Sequence, residues 1–267
     1  MHTDKEKSEA FLSFLKVLDN LREKCPWDAK QTNESLRSNT IEEVFELADA
    51  LSKNDVKNIQ KELGDVLLHI GFYSKIASEK KQFDIADVCN SLTEKLIFRH
   101  PHIYGNSNFD SAEEVSQNWE KIKLKEKGGN KTVLSGVPSA LPALIKANRI
   151  QEKVANVGFD WEKPEQVWQK VKEETSEVEM EILQGNKDKL EQEFGDLIFA
   201  IVNAARLYGV NPENALEKTN KKFISRFNYL ESKAKEMNKS LQEMTLTEMD
   251  ILWNQAKEIE NNDSLHH

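Results

Sequence analysis

Residues 193–201 read EFGDLIFAI, and residues 62–70 read ELGDVLLHI. Both stretches are Glu-x-Gly-Asp followed by an apolar run, and they lie 131 residues apart. At the same offset upstream, residues 41–47 (IEEVFEL) and residues 172–178 (KEETSEV) share the pattern Glu-Glu-x-x-Glu. Because two motifs recur at one fixed offset, the sequence predicts two tandem copies of one domain.

Two further matches follow downstream in the same order. The pattern Lys-x-x-x-Arg occupies residues 95–99 and again residues 222–226. The pattern Trp-x-x-x-Lys occupies residues 119–123 and again residues 253–257. Four matches in one order extend the duplication over most of the chain, so each copy is expected to span roughly 120 residues.

A segment rich in Gly and Pro separates the two copies. Residues 125–142 read KEKGGNKTVLSGVPSALP and hold much of the chain's small supply of both residues. Such clustering is typical of a linker or a connection rich in loops. We therefore predict a first repeat over residues 1–127, a linker over residues 128–142 and a second repeat over residues 143–260.

The apolar residues of each copy recur at helical spacing. On the helix expected before ELGD, Ile41, Val44 and Phe45 lie on one face, and the apolar residues from Leu190 to Ala205 follow the same period. The 267 residues include only 10 Gly and 6 Pro, too few for the many tight turns of a sandwich or barrel. We predict an all-α fold in which each copy contains about four helices packed like a four-helix bundle.

Four carboxylates of the second copy are expected to converge. Glu174 and Glu177 share one helical face, and so do Glu193 and Asp196 on the next helix. Turn residues at 186–188 make these helices antiparallel neighbours. Carboxylates in a partly desolvated site repel one another, and a bound divalent cation offsets this repulsion. A site made of oxygen ligands favours Mg²⁺ or Mn²⁺. The first copy offers the equivalent set of metal ligands: Glu43, Glu46, Glu62 and Asp65.

Basic residues near these acids indicate an anionic substrate. Lys and Arg beside a Mg²⁺ site commonly bind the oxygens of a polyphosphate. A tryptophan could stack on a base. The candidates in the second copy are Lys170, Lys189, Lys222, Arg226 and Trp253. Since Asn39 and Asn58 stand where the second copy has Lys170 and Lys189, the second copy is the better equipped for phosphate.

These motifs together resemble the all-α nucleoside triphosphate pyrophosphohydrolases, and the two-copy length is similar to that of the bacterial MazG family. The stretches CPWD at 25–28, RHPHIYG at 99–105 and GFDW at 158–161 extend the resemblance over nearly the whole chain. It implies homodimers of helical bundles that use Mg²⁺ to hydrolyse a nucleoside triphosphate to the monophosphate and pyrophosphate.

The resemblance also implies roles for individual residues. Glu174, Glu177, Glu193 and Asp196 match the family's catalytic and metal-binding carboxylates. The nucleotide contacts implied by the resemblance fall on the basic residues and the tryptophan named above. In the mechanism that follows, a carboxylate activates a water molecule that attacks the α-phosphorus, and no element of the sequence selects one base.

Composition limits the partners that we expect. The chain has 46 acidic and 37 basic residues and a formal charge of −9, which disfavours binding to nucleic acid or an anionic membrane. No apolar run approaches the ~20 residues that span a bilayer, and the N-terminal residues show no signal-peptide pattern. We therefore expect a cytoplasmic protein that binds nucleoside triphosphates but neither nucleic acid nor membrane.

Two other readings of the acidic motifs stay open from the residues alone. Di-iron carboxylate proteins are also helical bundles, but they need Glu-x-x-His pairs, and His69 becomes Ala200 in the second copy. A non-catalytic helical adaptor or regulatory protein could use the same acids as solvated helix faces. The adaptor predicts no dependence on Mg²⁺ and no loss of function when Glu193 is neutralised.

Overall fold

The chain folds into α-helices, as the sequence predicts. The computed structural model describes residues 1–105, 111, 114–115, 122–123, 126 and 131–264, and among these no strand occurs. The helices are α1 (Asp4–Lys24), α2 (Asn33–Ser52), α3 (Val56–Glu79), α4 (Ile85–Arg99), α5 (Pro101–Tyr104), α6 (Ala143–Ala155), α7 (Val167–Gln184), α8 (Lys187–Leu207), α9 (Pro212–Glu236) and α10 (Leu246–Ser264). None of these helices has the length and apolar character that crossing a membrane requires.

The chain divides into two compact units, Met1–Asn108 and Phe109–His267. The repeat boundary predicted at residue 127 and the motif residue Trp119 lie outside the described residues. The limits of the two repeats and of the linker therefore stay a prediction.

In the first unit, α2 and α3 form an antiparallel hairpin, and α1 and α4 pack against α3. The core of this unit is formed by Leu18 of α1, Leu36 of α2, and Phe72 and Ile76 of α3. Burial of such side chains is the main stabilising contribution to a small helical unit. The unit therefore holds the helices that carry the first pair of acidic motifs in fixed register.

In the second unit, α7 and α8 form the equivalent hairpin, and α6 packs against α8. Helices α9 and α10 pack on each other around a core that includes Leu230, Ala234 and Leu252. Part of the predicted linker lies against α6, because Lys146 Nζ donates to Ser139 O (2.7 Å) and the buried Lys153 Nζ donates to Val133 O (3.1 Å). The described end of the linker is therefore packed on the second unit.

The turns of both hairpins are built from the residues that the sequence indicates. Asn54 adopts a positive φ of 52°, and the Asp55 side chain accepts from Asn58 N to begin α3. In the second unit, Gly185 has a φ of 72° and ends α7, and the Asn186 side chain accepts from Lys189 N to begin α8. Both turns use a left-handed residue followed by a side-chain cap, which explains why the two acidic helices face each other in each unit.

Apolar side chains on the hairpins are left at the surface of the chain. The predicted face of α2 that carries Ile41, Val44 and Phe45 is about half exposed. The second hairpin likewise exposes Phe194 and Ile198 of α8. The helical period was predicted correctly, but the helices of this chain do not bury these stripes within the described residues.

Candidate functional site

Three carboxylates meet at the hairpin of the second unit. Glu174 and Glu177 of α7 and Glu193 of α8 each place an oxygen within 4.8 Å of the others. Glu174 is 4% exposed, whereas the other two are partly exposed. These three residues are called the second cluster below. Of the four predicted acids, Asp196 is exposed and lies outside this group.

Lys170 lies against the second cluster. Its Nζ is 2.5 Å from Glu174 Oε1 and 2.8 Å from Glu173 Oε1, and these hydrogen bonds raise the pKa of the lysine. The pKa of Glu177 is raised from its usual value, first by a hydrogen bond with Glu174 and then by burial and by repulsion from Glu174 and Glu193. The cluster therefore holds more negative charge than one ammonium group neutralises.

The donor set of the second cluster fits a hard divalent cation. All three groups are carboxylates, and oxygen ligands suit Mg²⁺ or Mn²⁺. The repulsion that raises the pKa of Glu177 is the conflict that a bound cation would relieve. The residues present are therefore compatible with a bound Mg²⁺ ion.

A cavity of about 760 Å³ lies beside the second cluster. Lys170, Glu174 and Asp196 belong to its wall, so this cavity adjoins three of the predicted site residues. The rest of its lining comes from α6, from the GFDW segment, from the first residue of α7 and from α8: Ile150, Gln151, Val154, Gly158, Phe159, Asp160, Trp161, Val167, Phe199, Ala200, Asn203 and Arg206. Its size and its largely apolar wall are typical of a small-molecule site.

The sequence patterns assign no role to three other polar residues of this wall, Asp160, Asn203 and Arg206. Arg206 donates to both carboxylate oxygens of Asp160, at 3.0 Å and 2.5 Å, and also to Asn203 Oδ1 at 2.8 Å and 3.0 Å. The signal that could have indicated them was GFDW at 158–161, which was noted only as part of the resemblance. The bonds between Arg206 and Asp160 hold the GFDW segment against α8 in the wall of the cavity.

The remaining predicted nucleotide contacts lie elsewhere in the second unit. Lys189 Nζ is 3.9 Å from Glu181 Oε1. Arg226 pairs with Glu260 at 2.8 Å and stacks over Trp253, while Lys222 is exposed on α9. The lining of the cavity, as far as the described residues go, includes none of the four predicted residues Lys189, Lys222, Arg226 and Trp253.

The first unit gathers an equivalent group of carboxylates. Glu43, Glu62 and Asp65, called the first cluster below, place oxygens within 4.8 Å of one another. Glu62 is 5% exposed, and within the described part of the chain its Oε2 has no hydrogen-bond partner. The pKa of Glu43 is raised from its usual value by burial and by repulsion from Asp65. Glu46, the fourth predicted acid, lies outside the group.

A lysine that the sequence reasoning overlooked lies in the first cluster. Lys61 Nζ is 2.8 Å from Glu62 Oε1, 3.5 Å from Asp65 and 3.9 Å from Glu46. The residue at the equivalent position of the second copy is Gln192, which carries no charge. The ammonium group beside the first cluster thus comes from α3, whereas the one beside the second cluster, Lys170, comes from α7.

Two positions that line the cavity of the second unit carry larger, buried side chains in the first unit. Ala200 lines the cavity, but its counterpart in the first copy is His69, which is buried. Asn203 likewise corresponds to the buried core residue Phe72. His69 Nδ1 is 3.0 Å from the hydroxyl of Thr40, which also contacts the Tyr73 hydroxyl. The first unit therefore places more side-chain volume at these two positions than the second unit does.

Comparisons with known proteins agree with the duplication. The sequence profile described as "MazG nucleotide pyrophosphohydrolase domain" matches residues 31–104 and 162–230. A protein of Thermotoga maritima named nucleoside triphosphate pyrophosphohydrolase/pyrophosphatase MazG is 42% identical over 258 residues, 95% of this chain and 98% of that protein.

Two further bacterial proteins are similar in sequence to this chain. A protein of Escherichia coli named nucleoside triphosphate pyrophosphohydrolase is 39% identical over 250 residues, 91% of this chain and 95% of that protein. The uncharacterized protein YabN of Bacillus subtilis is 43% identical over 94% of this chain, which covers 52% of YabN. With two profile matches and two relatives similar over nearly their full length, the chain belongs to the MazG nucleotide pyrophosphohydrolase family.

Proposed function

We propose that the protein is a nucleoside triphosphate pyrophosphohydrolase whose working site is the second cluster and the cavity beside it. The reaction is hydrolysis of a nucleoside triphosphate to the monophosphate and pyrophosphate, with water attacking the α-phosphorus. The observation that carries this proposal is the position of the buried Glu174, which belongs both to the cluster and to the wall of the cavity. One residue therefore joins a candidate cation site to a space of ligand size.

Glu174, Glu177 and Glu193 are the proposed ligands of Mg²⁺, with Asp196 as a fourth and Mn²⁺ as an alternative ion. When bound, such a cation supplies Lewis-acid polarisation of the phosphate oxygens. In the first unit the corresponding ligands would be Glu43, Glu46, Glu62 and Asp65.

The chain's own residues position the reacting groups. Glu174 holds the Lys170 ammonium at the edge of the cavity, where it can bind a phosphate oxygen and offset the charge that develops there. Glu177 lies next to Glu174 and is partly exposed, so either carboxylate can accept a proton from an attacking water. Trp161 and Phe199 give the cavity aromatic surface that suits a base of any kind, consistent with broad specificity.

The first repeat is proposed to be non-catalytic. Lys61 Nζ lies within 3.5 Å of two carboxylates of its cluster, whereas Lys170 pairs with one carboxylate of the second cluster. The ammonium group of Lys61 therefore competes more strongly with a dication. His69 and Phe72 also place larger buried side chains at two positions that line the cavity in the second unit. We therefore assign the activity to the second repeat.

A homodimer is the proposed assembly. Lys222, Arg226 and Trp253 do not line the described wall of the cavity in their own chain, and a second copy could present them to it as nucleotide contacts. The exposed apolar stripes on α2 and α8 are surfaces of the kind that obligate dimers bury. Each proposed site would then combine the second cluster of one subunit with α9 and α10 of its partner.

Subunit complementation tests this assembly. Chains with Glu174→Gln and chains with Trp253→Ala are co-expressed with different affinity tags, and the mixed dimer is purified through both. Each parent variant is expected to be impaired, whereas the mixed dimer should recover about half of the wild-type activity, because one of its two sites is intact. Activity no higher than the mean of the two parents would show that Trp253 serves the site of its own chain.

The proposed reaction is tested by identifying products. The protein is incubated with Mg²⁺ and a panel of nucleoside triphosphates, and the products are separated by ion-exchange chromatography. Monophosphate and pyrophosphate in equal amounts, with no turnover when EDTA replaces Mg²⁺, are expected. Release of diphosphate and phosphate, or turnover that continues when Mg²⁺ is removed, would overturn the reaction that we propose. Absence of turnover with every triphosphate would favour a non-catalytic adaptor protein.

A further inference from the structure

A buried amide in the cavity wall has an unused acceptor. Gln151 of α6 is 3% exposed and lines the cavity. Its Nε2 donates to Phe199 O at 2.8 Å, and its Oε1 has no hydrogen-bond partner among the residues that the structure describes. Buried polar atoms in native proteins nearly always have a partner, because leaving one unpaired costs folding free energy. An unpaired oxygen in a ligand-sized cavity thus indicates a partner that comes with the ligand.

The orientation of this amide is fixed by its neighbour. Phe199 O is a main-chain carbonyl and can only accept, so the Gln151 amide nitrogen must face it. The amide oxygen is consequently held away from α8, and the side chain cannot exchange the two groups without losing its bond to Phe199. A residue of the cavity wall therefore carries a buried acceptor of defined orientation.

Asn203 offers the complementary group from α8. Arg206 donates twice to Asn203 Oδ1, at 2.8 Å and 3.0 Å, and a guanidinium group has no acceptor. The Asn203 oxygen is thus committed to Arg206, and its amide nitrogen is available as a donor. The wall of one cavity then contains both an acceptor, Gln151 Oε1, and a donor, Asn203 Nδ2.

We propose that Gln151 is a specificity-determining residue whose Oε1 accepts a hydrogen bond from an N–H group of the substrate's base. This inference rests on the proposed function. Adenine and cytosine present an amino group, and guanine and uracil present an imino N–H, on the edge that also carries an acceptor for Asn203. One acceptor can therefore admit all four bases and still discriminate against a base that has no N–H donor. Broad specificity among natural nucleotides follows from this, rather than from the absence of base recognition.

The test compares two triphosphates that differ by one amino group. ATP and purine riboside triphosphate, which lacks the 6-amino group, are assayed with wild-type protein, with Gln151→Met and with the control Gln169→Met. Gln169 is exposed on α7 and does not line the cavity. For the wild type and the control, kcat/KM should be about tenfold higher for ATP, because the analogue leaves the buried oxygen unpaired.

For Gln151→Met, we expect this preference to fall to about twofold or less, through loss of ATP activity with little change for the analogue. A purely structural role of Gln151 would instead lower both activities by the same factor, and that result would overturn the inference. Equal activity of the wild type on both triphosphates would overturn it as well. Absence of turnover with every triphosphate is a different outcome, because it refutes the proposed function itself and removes this inference with it.

Discussion

Replacing Glu174 with glutamine is expected to lower kcat/KM for every nucleoside triphosphate by about a thousandfold or more. The substitution keeps the shape of the side chain but removes the buried charge that adjoins Glu177, holds Lys170 and lines the cavity. A proposed metal ligand and the anchor of a proposed phosphate contact are lost together, so the effect should exceed that of removing either alone. Steady-state kinetics at saturating Mg²⁺ measure it.

Two other glutamates supply the controls. Glu179→Gln alters an exposed residue of the same helix and should leave kcat/KM within about twofold of the wild type. Glu43→Gln makes the equivalent change in the first cluster and should leave most of the activity, because larger buried side chains occupy two positions there that line the cavity in the second unit. Equal losses from Glu43→Gln and Glu174→Gln would contradict the assignment of the activity to the second repeat.

Replacing Gln192 with lysine should lower activity at physiological Mg²⁺ by about fiftyfold or more. Gln192 occupies the position of Lys61, whose ammonium lies 2.8 Å from Glu62 in the first cluster. An ammonium at this place in the second unit would compete with a dication for Glu193. Part of the loss should be recovered by raising the Mg²⁺ concentration, which an activity titration measures.

The neutral substitution Gln192→Met separates charge from the loss of the amide, and it should behave like the wild type. The reciprocal change, Lys61→Gln, should leave turnover within about twofold of the wild type while adding a second class of Mn²⁺ sites, detected by calorimetry. If Gln192→Lys were fully active at low Mg²⁺, the second cluster would not be the place where the essential cation binds.

Much of the fold could be predicted because the same sequence motifs occur in both halves of the chain. The recurrence of ELGDVLLHI and EFGDLIFAI gave the duplication, the apolar period gave the helices, and Asn54 and Asn186 marked the turns. The convergence of the carboxylates followed from helix geometry, since residues three apart on two joined helices must face the same seam. Three of the four predicted acids meet in each unit.

Other features depend on contacts that spacing does not reveal. Lys61 directly precedes Glu62 in the sequence, and neighbouring residues of a helix usually point in different directions. Only the three-dimensional structure shows that the ammonium group of Lys61 lies against the carboxylates of the first cluster. The cavity depends on small residues such as Ala200, where the first copy has His69, and a pattern of apolar residues does not distinguish the two. Arg226 is engaged by Glu260 of α10, a partner 34 residues away that no local motif indicates.

The fate of the water oxygen tests the central claim most directly. A nucleoside triphosphate is hydrolysed to completion in water enriched in oxygen-18, and both products are examined by mass spectrometry. Attack at the α-phosphorus predicts one heavy oxygen in the nucleoside monophosphate and none in the pyrophosphate. Heavy oxygen in the pyrophosphate, or its appearance in inorganic phosphate beside a nucleoside diphosphate, would contradict the account.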